Sequence, residues 1–590
     1  MYDHWNMDAL YTGVEDESFK RDMQSFKEAV EQINTLAAKC GVISDKELVR
    51  EYLTAEESLS DLAEKLFCYM SLRASVNSSD TEAVAYMGRL HSMFSAMSGA
   101  SAVLQAYIGK IDCLDEIIES DSFIGEFAYY LRTMRDDAQH LLGGKEEEIM
   151  SKYNISGGSA WSDLRDHLTS TVKVEYNGTV TNLSDIRNMA YEDDPEVRRT
   201  AYEAEMASYE KIKDSVAFAL NSIKMQAITE AELRGFDSPM AKVLHYSRLK
   251  PATLDALLGA MVEYMPHFRR YLRALGKLLG HENGLPWYDL FAPAGNDDSR
   301  YTPEDARKYL AEVFKGFDGE LAAMVDRAFA EDWIDFFPAD GKRGGAFCMG
   351  LHSIQQSRVL TNFGGRFTDV MTLAHELGHA FHNYCIKDHR ALNTDYSMPV
   401  AETASNFNEV LTMDYALSHA ETRAQRLALL GGKLSDTTQI ICDIYSRYLF
   451  EKSVIDSRED GFMFPDKLCE LMLDAQKQAY GDGLDPNCLH KYMWICKSHY
   501  YSAGLSFYNW PYAFGGLFAQ GLFAKYKEQG ESFVPLYKKL LHATTVNSVE
   551  DTALIAGIDL TDPDFWRKGL DYFVGLIDEF VELTEAELQK

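Results

Sequence analysis

The sequence predicts a large, mainly α-helical protein with very little β-structure. Apolar residues recur at steps of three and four over long stretches, which is the pattern of amphipathic helices. Only 14 prolines occur in 590 residues, and this suits long uninterrupted helices. A chain of this length exceeds what one hydrophobic core usually supports. We therefore expect two or more lobes, or one large helical body with a deep groove.

The helical patterns near the amino terminus cover residues 17–40, 46–73, 80–109 and 115–142. Residues 156–159, Ser-Gly-Gly-Ser, are typical of a loop. Residues with high β-propensity then alternate around Asn177-Gly178, and Asn-Gly between two such runs favours a tight hairpin. The sequence therefore predicts an N-terminal helical lobe with a small hairpin at residues 1–190. A second, catalytic helical domain is predicted at residues 191–590.

The next helix is predicted to begin at Asp194-Pro195, since proline suits the first turn of a helix. Later helical patterns cover residues 250–280 and 303–330 and everything beyond about 420, except an aromatic-rich break from His499 to Phe514. Residues 341–367 are also non-helical, and 357–363 are predicted to form a strand. A free edge on that strand would allow a peptide to add by backbone hydrogen bonds. An ordinary core hairpin is the alternative.

The net charge of the chain indicates which kinds of binding partner are unfavourable. Net charge is −33, from 58 basic and 91 acidic side chains, and this argues against nucleic-acid binding and against an anionic membrane surface. A solvated acidic exterior explains the charge, and steering of cationic ligands is the alternative. The first twenty residues lack the features of a secretory signal, and no run of 18 apolar residues exists.

Cysteine usage indicates the redox compartment. Nine cysteines are scattered along the chain without a C-x-x-C pair, which is typical of reduced thiols. We therefore expect a cytoplasmic protein. The sequence leaves the oligomeric state open.

Residues 368–388 contain H-E-x-x-H as His375, Glu376 and His379. On an α-helix the two imidazoles lie about 40° apart on one face, so they can bind one Zn²⁺ from the same side. Glu376 lies about 100° round the helix, too far to be an equal ligand but suited to take a proton from water at the metal. A buried, hydrogen-bonded histidine pair is the alternative.

The same segment is predicted to be a helix that begins near Thr368 or Asp369, either of which can cap it. Gly378 inside the helix costs roughly 1 kcal/mol relative to alanine. We therefore expect something to approach the helix backbone closely at this glycine.

A third ligand is needed for a catalytic zinc site. Glu402 lies 23 residues after His379, one turn into a helix that Pro399 opens, and it completes a His₂Glu set with an open fourth position. Glu409 shares the face of Glu402 and can hydrogen-bond a ligand imidazole; a solvated charge is the alternative. His382 is predicted either to support a ligand or to pack in the core.

At this point a family resemblance emerges. HELGHAFH, preceded by KRGGAFC and TNFGGRFTDVMTLA and followed by PVAETASNFNE, resembles the M3 metallopeptidases, and among them the oligoendopeptidase F branch. Further matching stretches are RGFDSPMAKVL at 234–244, HYYSAGLSFYNWPYAFG at 499–515 and DTALIAGIDL at 551–560. The resemblance covers roughly residues 150–590, and the first 110 or so match only as a helical lobe.

The resemblance implies a zincin-type metallopeptidase with a long internal channel and a small β element near the zinc helix. It implies an endopeptidase that hydrolyses short peptides and uses one zinc ion per chain. Carried over to this sequence, the zinc ligands are His375, His379 and Glu402, and Glu376 is the general base.

The family also places a histidine and tyrosines over the site, and the matching residues here are His499, Tyr508 and Tyr512. The alternative for these aromatic residues is core packing. Two other functions remain open from the sequence. One is a peptide-binding protein that retains a metal site, against which the base Glu376 argues. The other is a carboxypeptidase, which would need a cation such as Arg358 or Arg366 for the terminal carboxylate.

Overall fold

The computed structural model describes residues 4–295, 299–458 and 460–589. Helices account for 71% of the chain and strands for 3%, which confirms the predicted mainly α-helical class. None of the helices in the described ranges combines the length and the apolar composition needed to cross a bilayer.

The helices, numbered α1 to α27 in chain order, are Glu17–Ala37, Asp45–Val76, Thr81–Ser95, Ser98–Ile108, Leu114–Glu119, Ser122–Gly125, Ala128–Ala138, Gly144–Asn154, Ala160–Thr171, Leu183–Asn188, Pro195–Tyr209, Lys213–Leu233, Pro239–Tyr246, Pro251–Leu278, Pro303–Lys315, Gly319–Ala330, Phe367–Cys385, Met398–Ala401, Thr403–Ser418, Arg423–Thr438, Ile444–Arg458, Pro465–Tyr480, Met493–Cys496, Trp510–Gln529, Val534–Ala543, Val549–Leu554 and Pro563–Leu588. The strands, β1 to β5, are Val174–Tyr176, Thr179–Thr181, Ile334–Asp335, Phe347–Leu351 and Gln356–Leu360.

The chain forms two compact units, each assembled from three segments. The first unit comprises Met1–Glu147, Asp298–Thr412 and Tyr526–Gly557, and the second comprises Glu148–Asp297, Met413–Lys525 and Ile558–Lys590. Membership is stated for the described residues within these bounds. The predicted division into residues 1–190 and 191–590 stays a prediction, and so does the internal channel.

The first unit begins with the helices that the apolar periodicity predicts. The side chains of Phe19, Phe26 and Ile33 form the buried stripe of α1, and Asp16 caps the helix by accepting from the Ser18 N–H. The predicted helix at 115–142 is instead three short helices, α5 to α7. Asp121 causes one of these breaks, because its carboxylate caps α6 by accepting the N–H groups of Phe123 and Ile124.

The first unit also contains a three-stranded sheet in the order β3-β5-β4, with β5 parallel to β3 and antiparallel to β4. The strand predicted at 357–363 is therefore the middle strand, so the expectation of a free edge on it is wrong. Its second side is occupied because the Val359 and Thr361 N–H groups donate to the carbonyls of Trp333 and Asp335. Within the described residues, the edge strands of this sheet are β3 and β4, and β4 is the longer of the two.

The second unit contains the predicted hairpin. Strands β1 and β2 pair antiparallel, and the turn residues Asn177 and Gly178 both have positive φ, 48° and 77°, as the tight turn requires. The loop predicted at 156–159 is a kink between α8 and α9, where Gly157 has a non-helical backbone with φ −95° and ψ −116°. Gly158 permits this path, because a Cβ there would lie 2.2 Å from the Cβ of Ala503.

Candidate metal centre

Helix α17 carries the H-E-x-x-H sequence and lies within the first unit. It begins at Phe367, and the carboxylate of Asp369 accepts the N–H groups of Gly364 and Arg366 at 3.1 and 2.8 Å. The N-cap residue is therefore Arg366 rather than Thr368 or Asp369, and Asp369 supports the helix start from within its first turn. The buried residues of its apolar face include Val370, Leu373, Leu377, Ala380 and Phe381.

Gly378 is the point at which α17 and α19 approach each other most closely. A Cβ on Gly378 would lie 2.5 Å from both the Ala404 carbonyl oxygen and the Ser405 Cα. These are backbone atoms and cannot turn aside as a flexible side chain can. The expectation of a close backbone approach at this glycine is confirmed, and the neighbour is the helix that follows Glu402. A hydrogen bond also joins the two helices: Asn408 Nδ2 donates to the Ala374 carbonyl at 3.2 Å.

The close approach brings three candidate ligands together. Glu402 lies at a break between α18 and α19, with φ −91° and ψ 7°, rather than one turn inside a continuous helix as predicted. Its Oε2 is 3.2 Å from His375 Nε2 and 3.4 Å from His379 Nε2. Two ligand atoms that are each about 2.0–2.1 Å from a tetrahedral zinc ion lie roughly 3.3–3.4 Å apart. The donor set and its spacing therefore fit a tetrahedral Zn²⁺.

The other ring nitrogen of His375, Nδ1, forms a hydrogen bond with Glu409. Its Nδ1 lies 2.6 Å from Glu409 Oε1, so Nδ1 donates a proton to this carboxylate and Nε2 is the nitrogen left to face a metal. Burial alone would lower the pKa of His375, but Glu402 and Glu409 raise it to about 10. The site therefore attracts positive charge. Glu409 is therefore hydrogen-bonded to the imidazole of a candidate ligand and is not a solvated charge.

Glu376 lies beside this cluster and is 6% exposed. Burial raises the pKa of its carboxyl group above the usual range, against the opposing effect of His375 and His379. Within the described residues its oxygens accept no hydrogen bond, so they are available to a water molecule or a substrate.

His382 is one turn beyond His379 and belongs to the core. Its Nε2 is 2.8 Å from the hydroxyl of Thr544, and its ring stacks on Tyr396 at 4.3 Å between centroids. Burial lowers the pKa of this imidazole to about 3, which keeps it neutral. The packing alternative is the one found.

A second cluster of possible ligands, formed by Asp388, His389 and His542, lies in the same unit. The rings of the two histidines are nearly perpendicular, at 82°, with centroids only 4.0 Å apart. His389 Nε2 is 2.9 and 3.2 Å from the two nitrogens of His542, so it points at the face of that ring. The lone pairs of His542 lie in its ring plane and cannot share a metal with His389 in this arrangement.

His499, Tyr508 and Tyr512 lie together within the second unit. The ring centroids are 5.3 to 5.8 Å apart, and the Tyr512 hydroxyl is 3.5 Å from His499 Nε2. Burial lowers the pKa of His499 to about 4, and the cations of Arg447 and Lys497 act in the same direction. The imidazole is therefore neutral near pH 7. The structure brings these three residues together, and their role in a reaction stays a prediction.

A buried ion pair positions the loop that carries Tyr508. Lys224 and Glu451 have fully buried side chains and are 2.6 Å apart. Glu451 also accepts the Phe507 N–H and the Asn509 side-chain amide, each at 2.9 Å. Phe507 has φ 55°, a left-handed conformation that is strained for an aromatic residue. The ion pair therefore holds the loop in a conformation that the loop sequence alone does not favour.

Comparison with known proteins identifies the family. The family model described as Peptidase family M3 matches residues 188–572, which is more than half of the chain. The chain belongs to peptidase family M3. A second model, described as Oligopeptidase F, matches residues 112–173 and places the chain in the oligoendopeptidase F branch. This M3 peptidase is therefore a metallopeptidase, as the sequence resemblance predicts.

Relatives and solved structures agree with this assignment along nearly the whole chain. Oligopeptidase PepF of Bacillus subtilis is 23% identical, with 98% of this chain and 87% of the relative covered. Group B oligopeptidase PepB of Streptococcus agalactiae is also 23% identical, with 98% and 97% covered. Oligoendopeptidase-F of Enterococcus faecium shares the fold at a TM-score of 0.71 and 19% identity, over 97% and 99% of the chains. A solved Chlamydophila abortus structure reaches a TM-score of 0.85 at 19% identity, over 99% and 98%.

Sequence reasoning missed several residues that support the site. Ser405 donates its hydroxyl to Glu402 Oε2 at 2.9 Å, and Asn408 joins the two helices. Both lie on the same helix as Glu409, so their position on its inward face was available as a signal. The Lys224–Glu451 pair had no such signal, because 227 residues separate its members.

We expect Gly378→Ala to lower the free energy of unfolding by about 2–3 kcal/mol and to reduce bound metal, because the methyl group forces α19 away from α17. Gly259→Ala is the control. Gly259 lies in α14 with no atom within 4 Å of an added Cβ, so alanine there should stabilise by up to about 1 kcal/mol. Denaturant unfolding and metal analysis measure both effects. Equal behaviour of the two variants would contradict the close-approach argument.

We expect Glu451→Gln to cost about 3–5 kcal/mol of unfolding free energy, because it leaves the Lys224 ammonium buried without a counter-charge. Glu470→Gln is the matched control, since it removes the acid of an exposed Lys467–Glu470 pair and should cost at most about 1 kcal/mol. Chemical denaturation of the two variants side by side tests this. Similar losses in both would mean that the buried pair does not hold the loop.

Proposed function

We propose that this M3 peptidase is a zinc-dependent endopeptidase that hydrolyses internal bonds of short peptides. The observation that carries the proposal is the convergence of His375 Nε2, His379 Nε2 and Glu402 Oε2, with the unbonded carboxylate of Glu376 beside them. A purely structural metal site has no use for a base next to its ligands. Curated relatives bear the names oligopeptidase and oligoendopeptidase, which supports short peptides as the substrate class.

His375, His379 and Glu402 would hold the zinc ion. When bound there, zinc supplies a Lewis acid that polarises the scissile carbonyl and acidifies a water molecule. Glu409 has a positioning role in the proposal. Its hydrogen bond to His375 Nδ1 fixes the ring and its tautomer, so that the ring presents a lone pair and not a proton to the metal.

Glu376 is proposed to be the general base. Its oxygens are unbonded within the described residues, and burial raises the pKa of the carboxyl group toward the working pH. Both properties suit a group that takes a proton from water and returns it to the leaving amine. A carboxylate fixed by hydrogen bonds, such as Glu402 with Ser405, could not exchange protons as freely.

Strand β4 offers a way to align a peptide within the first unit. Its outer edge is unpaired among the described residues, and the sheet packs on α17, where Asn383 Nδ2 bonds the Ser357 hydroxyl at 3.3 Å. An extended peptide added to this edge would be held by backbone bonds and so without strict sequence preference. This suits an enzyme that accepts many short peptides.

The carboxypeptidase alternative loses one of its two candidate cations. Arg358 is 1% exposed, and its guanidinium donates to the Asn6 carbonyl, the Ser357 carbonyl and the Gln356 side chain. Each of its three nitrogens already donates a hydrogen bond within the protein, so the buried guanidinium is not available to a substrate carboxylate. An endopeptidase is therefore favoured. A cytoplasmic location stays a prediction.

The test of the function is cleavage of a peptide blocked at both ends. We expect the purified protein to cut such a peptide at an internal bond and to lose activity with a chelator. Glu376→Gln should keep the metal but lower kcat by about three orders of magnitude, because it removes the base. An intact blocked peptide would refute the endopeptidase, and near-normal turnover in Glu376→Gln would refute the base.

Glu409→Gln should weaken zinc binding by about 10–100-fold, and Glu402→Ala should weaken it further, because Glu409 acts only through His375. Metal titration against a fluorescent chelator measures both. The amide that replaces the Glu409 carboxylate retains a carbonyl acceptor, so the ring orientation should survive and kcat at saturating zinc should fall less than about tenfold. Equal zinc affinity in wild type and Glu409→Gln would remove the positioning role.

Tyr508→Phe and Tyr512→Phe test whether the second-unit residues act on the substrate. If a hydroxyl stabilises the developing oxyanion, its removal should lower kcat by about 100-fold with little change in KM. Tyr501→Phe is a control, because its hydroxyl is committed to the Trp494 carbonyl in the core. A rise in KM with unchanged kcat would instead make these tyrosines binding residues.

A further inference from the structure

The second unit contains a cavity of about 190 Å³ that the proposed reaction does not use. We call it the Lys497 pocket. Polar side chains that line it include Arg187, Glu205, Gln439 and Lys497. Aromatic rings, among them Tyr191 and Trp287, form its walls. A cavity of about 150 Å³ is enough to hold benzene, so this pocket can hold a molecule the size of one amino acid.

Most of the charges around this pocket are paired. Arg187 lies 3.3 Å from Glu205, and the buried guanidinium of Arg198 lies 2.7 Å from Asp289. Glu205 also accepts from Tyr209 at 2.8 Å, so its charge is fully engaged. Each of these acids therefore neutralises a base of the same pocket wall.

Lys497 is the exception. Among the described residues its ammonium has no hydrogen bond and no acid within ion-pair distance. Burial lowers the pKa of this lysine, which is the sign of a cation whose lost hydration is not replaced. Asp443, the acid that opposes this shift of the pKa, is itself paired with Arg447. The pocket therefore has one uncompensated positive charge, in a protein of net charge −33.

A second feature of the pocket also calls for a ligand. The side-chain nitrogen Nε2 of Gln439 is buried and has no hydrogen-bond partner within the described chain. An unsatisfied buried donor costs about 1–3 kcal/mol, and turning the amide so that Nε2 meets the cavity would let a ligand acceptor remove that cost. An ammonium and an amide donor on the same small cavity match the two oxygens of a carboxylate.

We propose that the Lys497 pocket binds the carboxylate of a small organic acid or of a peptide C-terminus. Lys497 and Gln439 recognise the two oxygens, and the aromatic walls enclose the adjoining carbon atoms. A monoanion balances the single free charge, whereas a phosphate dianion would leave an excess negative charge in a half-buried site. The proposal concerns binding and does not rest on the proposed zinc mechanism.

The test is calorimetric titration of the full chain in the Glu376→Gln background, which prevents turnover of the probes. N-acetylalanine is the acid probe, and N-acetylalaninamide is its uncharged match. We expect the acid to bind at one site per chain and the amide to bind at least about tenfold more weakly. Equal binding of the acid and the amide overturns the proposal, and so does the absence of saturable binding by both N-acetylalanine and free tetra-alanine.

Added variants locate the site. Lys497→Met should reduce binding of the acid to the level of the amide, whereas Lys497→Arg should retain it within a few-fold. Lys467→Met removes an exposed lysine of the same unit and should leave binding unchanged. Melting temperatures show whether each variant is folded. If Lys497→Met is folded and binds the acid as Lys467→Met does, the carboxylate lies elsewhere and the proposal fails.

A peptide probe separates the two sources of the carboxylate. Tetra-alanine with a free C-terminus is compared with its C-terminal amide in the same variants. Binding of the free tetrapeptide but not of N-acetylalanine, lost in Lys497→Met, assigns the pocket to peptide C-termini. Binding of both acids, lost in the same variant, assigns it to carboxylates in general.

Discussion

The close approach of α17 and α19 at Gly378 is the constraint on which the candidate site depends. His375 and His379 come from α17 and Glu402 from the residue just before α19, so the candidate ligands meet only if the two backbones nearly touch. Ala404 and Ser405 occupy the space that any side chain at position 378 would need. A glycine inside a helix lowers its stability, but here it allows the approach that leaves Glu402 Oε2 3.2–3.4 Å from the two histidine Nε2 atoms.

Buried charge is handled in two different ways in this protein. Lys224 and Glu451 neutralise each other inside the second unit and hold a strained loop. In the first unit, Glu402 and Glu409 lie on either side of His375 and raise its pKa, so this cluster favours a positive charge, which a proton or a bound metal ion can supply. The first arrangement stabilises structure, and the second creates affinity for a metal ion at the expense of local electrostatic balance.

The sequence predicted correctly those features that neighbouring residues determine among themselves. The spacing of His375 and His379, the turn at Asn177-Gly178 and the glycine at 378 all have local physical meaning, and the structure agrees with each. It was uninformative where the outcome depends on a distant partner. The strand at 357–363 gained a second neighbour from Trp333–Asp335, and Gly158 packs against Ala503, so neither contact could be predicted from the local sequence.

The most direct test of the central claim is zinc K-edge X-ray absorption on the protein loaded with one equivalent of Zn²⁺. The account predicts a four-coordinate ion with two imidazole nitrogens and light oxygen ligands at about 2.0–2.1 Å, and loss of one oxygen contribution in Glu402→Ala. A sulfur shell near about 2.3 Å, or a spectrum with fewer than two imidazoles, would contradict it. Either result would place the metal away from the two helices that Gly378 brings together.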